Sequence, residues 1–197
     1  MKQSIYDYIQ SRADEFIGIS DKIWEFAELS LNEYKSVACY LDFLKKEGFN
    51  VREKAANVPT AFVATYGEGR PRIGILAEYD ALSSLSQKPG VAHKVPLVPG
   101  GHGHGCGHNL LGAGSLAAAV AVKKLIELGH LKGTVVFYGC PGEEGCAGKT
   151  FMARDGEFRD LDAAITWHPG DTNEVTTGSN AACLQYLYSF QGVSAHA

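Results

Sequence analysis

Apolar side chains recur at helical spacing from about Ser4 to Leu29 (Ile5, Tyr8, Ile9, then Phe16, Ile19, Ile23, Trp24, Phe26 and Ala27). This predicts one or two helices, interrupted near Gly18. A further helix is predicted from roughly Lys35 to Lys46, with Val37, Tyr40, Leu41 and Leu44 as its core face and a stop at Glu47-Gly48-Phe49. The pattern then turns to strand-like runs: Thr60 to Tyr66, Ile73 to Tyr79, Thr134 to Cys140, Ala163 to Trp167 and Ala182 to Gln191. Leu110 to Leu128 reads as a strongly apolar helix, in which Gly112 and Gly114 allow close packing on a sheet. Strand, helix, strand, helix, strand from Ile73 to Trp167 predicts an α/β fold with crossover connections. The expected architecture is a three-layer sandwich whose mixed, largely parallel sheet is covered on both faces.

The long segment from Asp80 to Gly107 breaks this rhythm and is rich in Gly, Pro, Ser and His. Loops of such length inside a domain are usually functional or disordered. The final strand-like run leads into Gly192-Val-Ser-Ala-His-Ala197 and stops in mid-pattern, so the chain reads as truncated. With 197 residues, 45% apolar and 20% charged, it can bury a full core. A net charge of −4 and the lack of a basic run argue against nucleic acid or an anionic membrane as partner. No uninterrupted apolar stretch reaches the roughly 18 residues of a bilayer span, and the N-terminus shows no secretory pattern, so a cytoplasmic location is expected. The five cysteines form no regular framework and are expected to be reduced.

Chemistry concentrates in four places. His104-Gly-Cys106-Gly-His108 packs a thiol and two imidazoles between glycines at the mouth of the apolar helix, where a helix N-terminus favours thiolate over thiol. Its plain alternative is a buried Cys with two solvent-facing histidines. Glu78 and Asp80 close one strand, Glu143 and Glu144 follow another, and His168 follows a third. Taken singly these are ordinary loop acids and a surface histidine. If the strands are parallel, however, all emerge at carboxyl ends of one sheet, where open α/β folds build their sites. Sulfur, nitrogen and carboxylate donors suit zinc first, with manganese or cobalt possible. One ion could use Cys106, His108 and His168; the surplus of donors favours two ions about 3.5–4 Å apart. Two adjacent carboxylates then divide the labour, one binding metal and one taking a proton. A phosphate loop is absent, since Gly-x-Gly-x-x-Gly does not occur between His102 and Gly114.

Ala77-Glu-Tyr-Asp-Ala-Leu82, His104-Gly-Cys-Gly-His-Asn-Leu-Leu-Gly112, Cys140-Pro-Gly-Glu-Glu-Gly145 and Trp167-His-Pro169 together resemble the amidohydrolase branch of the aminoacylase/glutamate-carboxypeptidase family of dinuclear metallopeptidases. The resemblance covers the whole chain. It implies a zinc-peptidase-like catalytic domain over residues 1–182 and, at 183–197, the start of a dimerisation domain whose remainder is absent. It also implies that Cys106, His108, Glu144 and His168 are metal ligands, that Glu143 is the general base, and that Asp80 is an acid near the metals. Glu78 stands where many relatives place a histidine ligand and is left out. His196 matches a histidine that reaches the substrate carbonyl across a dimer. The implied activity is metal-dependent hydrolysis of the amide in N-acyl amino acids, dipeptides or aminobenzoyl-glutamate-like compounds, by a homodimer in the full-length form. The rival reading is a non-catalytic metal-binding or assembly half that needs further polypeptide.

Overall fold

The computed structural model describes residues 2–175, 179, 181–184, 186–193 and 195–196. Helices α1 (Lys2–Ser11), α2 (Ala13–Phe26) and α3 (Tyr34–Lys46) precede strand β1 (Asn50–Glu53), a 3₁₀ turn at Ala55–Asn57, and strands β2 (Phe62–Glu68) and β3 (Arg72–Ala77). Helix α4 (His108–Glu127), strand β4 (Gly133–Gly139), short helices α5 (Glu143–Cys146) and α6 (Gly148–Arg154), and strand β5 (Ala163–Ile165) complete the order. The five-stranded sheet runs β1-β2-β4-β3-β5. Its β1–β2 and β2–β4 pairs are antiparallel, whereas β4–β3 and β3–β5 are parallel.

Period-two alternation splits each central strand between two layers. Phe62 and Ala64, Ile75 and Ala77, and Val135 and Phe137 join Ile23, Tyr40, Leu44, Leu116 and Val120 in the main core under α2, α3 and α4. Val63, Val136 and Tyr138 face the other way, onto Met152 and the partly buried Phe158 and Leu161. The helical face expected at Val37, Tyr40, Leu41 and Leu44 is buried throughout.

Several expectations need correction. The N-terminal helices break at Arg12 rather than near Gly18. Gly18 lies inside α2 with open space around it, and burial of Phe16, Ile19 and Ile23 outweighs its weak helix propensity. The edge strand β1 is short, polar and mostly exposed, and so leaves no apolar pattern to predict it. Glu143 and Glu144 open a helix rather than occupying a simple turn. The described residues of the segment 182–191 form no strand and are exposed, with Gln185 outside the described residues. Finally, α4 is long and apolar enough, by length and composition alone, to cross a membrane. Its buried residues, Leu111, Leu116 and Val120 among them, pack on the sheet and α2 instead, which accounts for its composition.

Helix α4 approaches the sheet closely because Gly112 has no side chain. A Cβ there would collide with the Tyr40 hydroxyl and stand 2.6 Å from the Glu78 carbonyl oxygen. Trp167 covers Gly114 and donates its indole N–H to the Leu111 carbonyl at 3.2 Å. These contacts set α4, and with it His108, against the ends of β3 and β5.

Candidate metal centre

Strands β4, β3 and β5 are parallel neighbours, so their carboxyl ends share one edge of the sheet. Glu78 and Asp80 follow β3, Glu143 and Glu144 follow β4 in α5, and His168 follows β5. The loop ending in Gly107 brings Cys106 to the same edge, and His108 is the first residue of α4. The convergence anticipated from the chain order is therefore present in the fold.

His108 is the centre of this group and is fully buried. Its Nδ1 lies 3.0 Å from Asp80 Oδ1 and 3.1 Å from the Asp80 carbonyl oxygen. Both partners only accept, so Nδ1 carries the proton and Nε2 presents a lone pair. That lone pair faces Glu78 Oε2 at 3.1 Å, with Glu143 Oε2 and Glu144 Oε1 each 3.9 Å away. His168 repeats the device: its Nδ1 donates to the Pro169 carbonyl at 2.8 Å, leaving Nε2 3.3 Å from Cys106 Sγ. The two imidazoles meet edge to face, 5.6 Å between centroids. Donor atoms of Cys106, His108 and His168 all lie within 4.8 Å of one another, and so do those of Glu78, His108 and Glu143.

Glu78 Oε2, His108 Nε2 and Glu144 Oε1 are buried and, among the described residues, make no hydrogen bond. Acceptors seldom face one another in a protein interior without a donor or a cation between them. The donor set thus fits divalent metal, with thiolate, imidazole and carboxylate donors in the combination zinc favours. Electrostatics agree. Burial pushes the Cys106 thiol up to about 11, reinforced by Glu144, Glu143 and Glu78. Burial and the carboxylates together therefore outweigh the helix N-terminus that was expected to favour thiolate, and a bound cation would reverse that balance. Burial works against the His108 imidazolium, yet Asp80, Glu78 and Glu144 raise its pKa overall. Burial also works against ionised Asp80, but His108, the Glu144 amide and Ser30 hold its pKa below the ordinary value.

Each residue singled out from the sequence has a definite place. Cys106, His108 and His168 form one cluster, and Glu144 stands at its margin. Glu143 has a 40% exposed side chain against 22% for Glu144, so it is the carboxylate with better access to solvent. Asp80 is fully buried, with Oδ1 on His108 and Oδ2 accepting from Ser30 Oγ at 2.8 Å and the Glu144 amide at 3.0 Å. His104 turns away and lies 3.0 Å from the Ile23 carbonyl through Nε2, a tie between the loop and the end of α2. His196 is exposed in the C-terminal segment, and among the described residues no hydrogen bond joins it to this group.

Sequence reasoning set Glu78 aside, yet it directly faces His108 Nε2; its other oxygen is ion-paired with Lys149 from α6. Its alternation with Asp80 along the strand was the available signal. Nothing local pointed to Lys149 or Ser30.

The profile of peptidase family M20/M25/M40 matches residues 74–184, which span all four motifs. One of the subunits of p-aminobenzoyl-glutamate hydrolase from Escherichia coli (strain K12) is 46% identical over 99% of this chain and 41% of its own length. The N-acetyl-L-cysteine deacetylase of Bacillus subtilis (strain 168) is 31% identical over 93% of this chain and 44% of its own length. A solved structure of the Bacillus subtilis YXEP protein, described as a dinuclear metal binding peptidase, superimposes with a TM-score of 0.65 at 26% identity, covering 79% of this chain and 42% of that one. The chain thus spans less than half the length of these relatives.

Proposed function

Because the chain belongs to peptidase family M20/M25/M40, a family of metal-binding hydrolases, we propose that it forms the metal-binding part of an enzyme that hydrolyses amide bonds. The substrates proposed are N-acyl amino acids, dipeptides or aminobenzoyl-glutamate-like compounds, in keeping with the names of its relatives. The observation that carries this reading is the cluster of buried, unpartnered acceptors at Glu78, His108 and Glu144.

Cys106, His108, Glu144 and His168 are the ligands in this reading, for two divalent ions with zinc first in order. Glu78 joins them through its oxygen facing His108. What such metals supply is Lewis acidity: a polarised substrate carbonyl and a lower pKa for the attacking water. The protein's own groups do the rest. Glu143, the more exposed of the acid pair, takes the proton from water and delivers it to the leaving amine. Asp80 keeps its proposed place beside the chemistry as the residue that fixes the His108 tautomer. Residues 1–182 are proposed as the catalytic domain, with 183–197 opening a dimerisation domain from which His196 reaches substrate in a homodimer. The exposed Leu184, Leu187 and Phe190 support a further partner for that segment. The free thiols suit the reducing cytoplasm.

The test is elemental analysis of the purified chain together with hydrolysis assays on the full-length protein. Two bound ions are expected. Glu143→Ala should abolish turnover and leave metal content intact; loss of metal in that variant would make Glu143 a ligand instead and overturn its role as base.

A further inference from the structure

Glu33 lies in the connection between α2 and α3 and is fully buried, although among the described residues no cation pairs with it. The first amides of a helix are ordinarily capped by a side-chain oxygen close by in the sequence. Glu33 occupies the N-cap position of α3 but makes no side-chain capping bond. Glu28 has taken over that task, its two oxygens accepting from the amides of Lys35 at 3.0 Å and Ser36 at 2.9 Å. The Glu33 side chain is thereby free to point elsewhere. Its Oε1 accepts from the Gly142 amide at 2.8 Å, across 109 residues of chain.

Gly142 is the residue that launches Glu143 and Glu144. It has a left-handed backbone (φ 65°) and precedes α5, a helix of only four residues that cannot hold its own orientation. Two buried carboxylates flank this turn: Glu33 takes the amide before Glu143, and Asp80 takes the amide after it, that of Glu144. Leu31 and Ser30, from the same connection as Glu33, pack against Gly142 and Gly145, so the connection supports the turn along its length. Burying a carboxyl without a cationic partner is costly, and among the described residues Oε2 has no hydrogen bond, so core stability alone gives little reason for a glutamate at this position.

We propose that Glu33 is a positioning residue, which holds the Gly142 amide and so fixes the turn from which Glu143 and Glu144 reach the metal centre. The inference rests on the reading of Glu143 as general base. Its function is geometric: an oxygen acceptor at this point is what matters.

The experiment compares Glu33→Ala and Glu33→Gln with the wild type in the full-length, metal-loaded enzyme. Glutamine keeps the shape and an acceptor oxygen, whereas alanine removes the acceptor. Glu33→Ala should lower kcat about ten- to hundredfold, the order of loss for a catalytic group displaced by about an ångström. Its KM and metal content should stay near wild type, and hydrogen–deuterium exchange at Gly142 should become severalfold faster. Glu33→Gln should restore both kcat and slow exchange. Should Glu33→Ala not fold, Glu33→Asp withdraws the oxygen by ~1.5 Å while keeping a carboxyl, and is expected to show the same fast exchange and low kcat. Wild-type exchange and kcat in a folded Glu33→Ala or Glu33→Asp would overturn the proposal, as would a Glu33→Gln variant as impaired as alanine. Turnover surviving in Glu143→Ala would overturn the base assignment instead, and exchange at Gly142 would then decide the role of Glu33 on its own.

Discussion

Replacing Asp80 by asparagine tests the logic of the centre directly. The two oxygens of Asp80 satisfy three donors: the His108 Nδ1–H, the Ser30 hydroxyl and the Glu144 amide. Asparagine offers one oxygen, and either orientation fails. With its oxygen toward His108, the side-chain NH₂ confronts the Glu144 N–H, leaving a partly buried backbone donor unpaired at about 1–3 kcal/mol. With its NH₂ toward His108, the imidazole must adopt the other tautomer, placing a proton on Nε2 where the lone pair faced Glu78. Loss of such an orienting partner costs about 10- to 100-fold in metal affinity, or about 1.4–2.7 kcal/mol. Chelator-competition titration of Asp80→Asn with zinc or manganese measures the loss of affinity, and denaturant unfolding of the metal-free protein measures the cost of the unpaired amide. Metal affinity within about twofold of wild type, a fifth of the smallest loss predicted, together with an unchanged unfolding midpoint, would mean that neither orientation costs anything and would refute the assignment of Asp80 as acceptor for the His108 Nδ1–H and the Glu144 amide.

Further outcomes follow from other contacts. Cys106→Ser should weaken metal uptake, read by the same titration, because the thiolate donor beside His168 is lost; unchanged stoichiometry would remove Cys106 from the site. Gly112→Ala should destabilise the fold by about 1–3 kcal/mol through overpacking, since the added methyl meets the Tyr40 hydroxyl and the Glu78 carbonyl; urea unfolding measures it. Burial would raise the Glu47 carboxyl, but Arg12 and Lys123 hold it below the ordinary range. The folded state then binds that proton less readily than the unfolded chain. Its stabilisation is full above the ordinary carboxylate pKa of about 4 and fades as pH falls through the lower folded value. Glu47→Gln should therefore flatten the acid side of the stability–pH curve, and an unchanged slope would discount the Arg12–Glu47–Lys123 network.

The amino-acid order by itself determined the helices α3 and α4, the helical character of the N-terminal stretch though not its break at Arg12, the three parallel strands, and the arrival of Glu78/Asp80, Glu143/Glu144 and His168 at one sheet edge. Periodicity and strand direction are local properties, and a right-handed crossover between parallel strands leaves little freedom in where their ends fall. The spacing of His104-Gly-Cys106-Gly-His108 likewise announced metal chemistry. Only the tertiary structure decided how these residues divide. His104 and His108 are equivalent as letters, yet one is 3.0 Å from the Ile23 carbonyl and the other sits against Asp80 and Glu78. Gly112 announced close packing of α4 on the sheet, but only the fold shows that the backbone it approaches is that of Glu78, at the end of β3. Glu33 carries no sequence signal at all: its role depends on Glu28 capping α3 in its place and on the Gly142 amide lying within 2.8 Å. Hydrogen-bond partners this far apart in sequence are set by packing, and packing is what the order of residues implies only after the chain has folded.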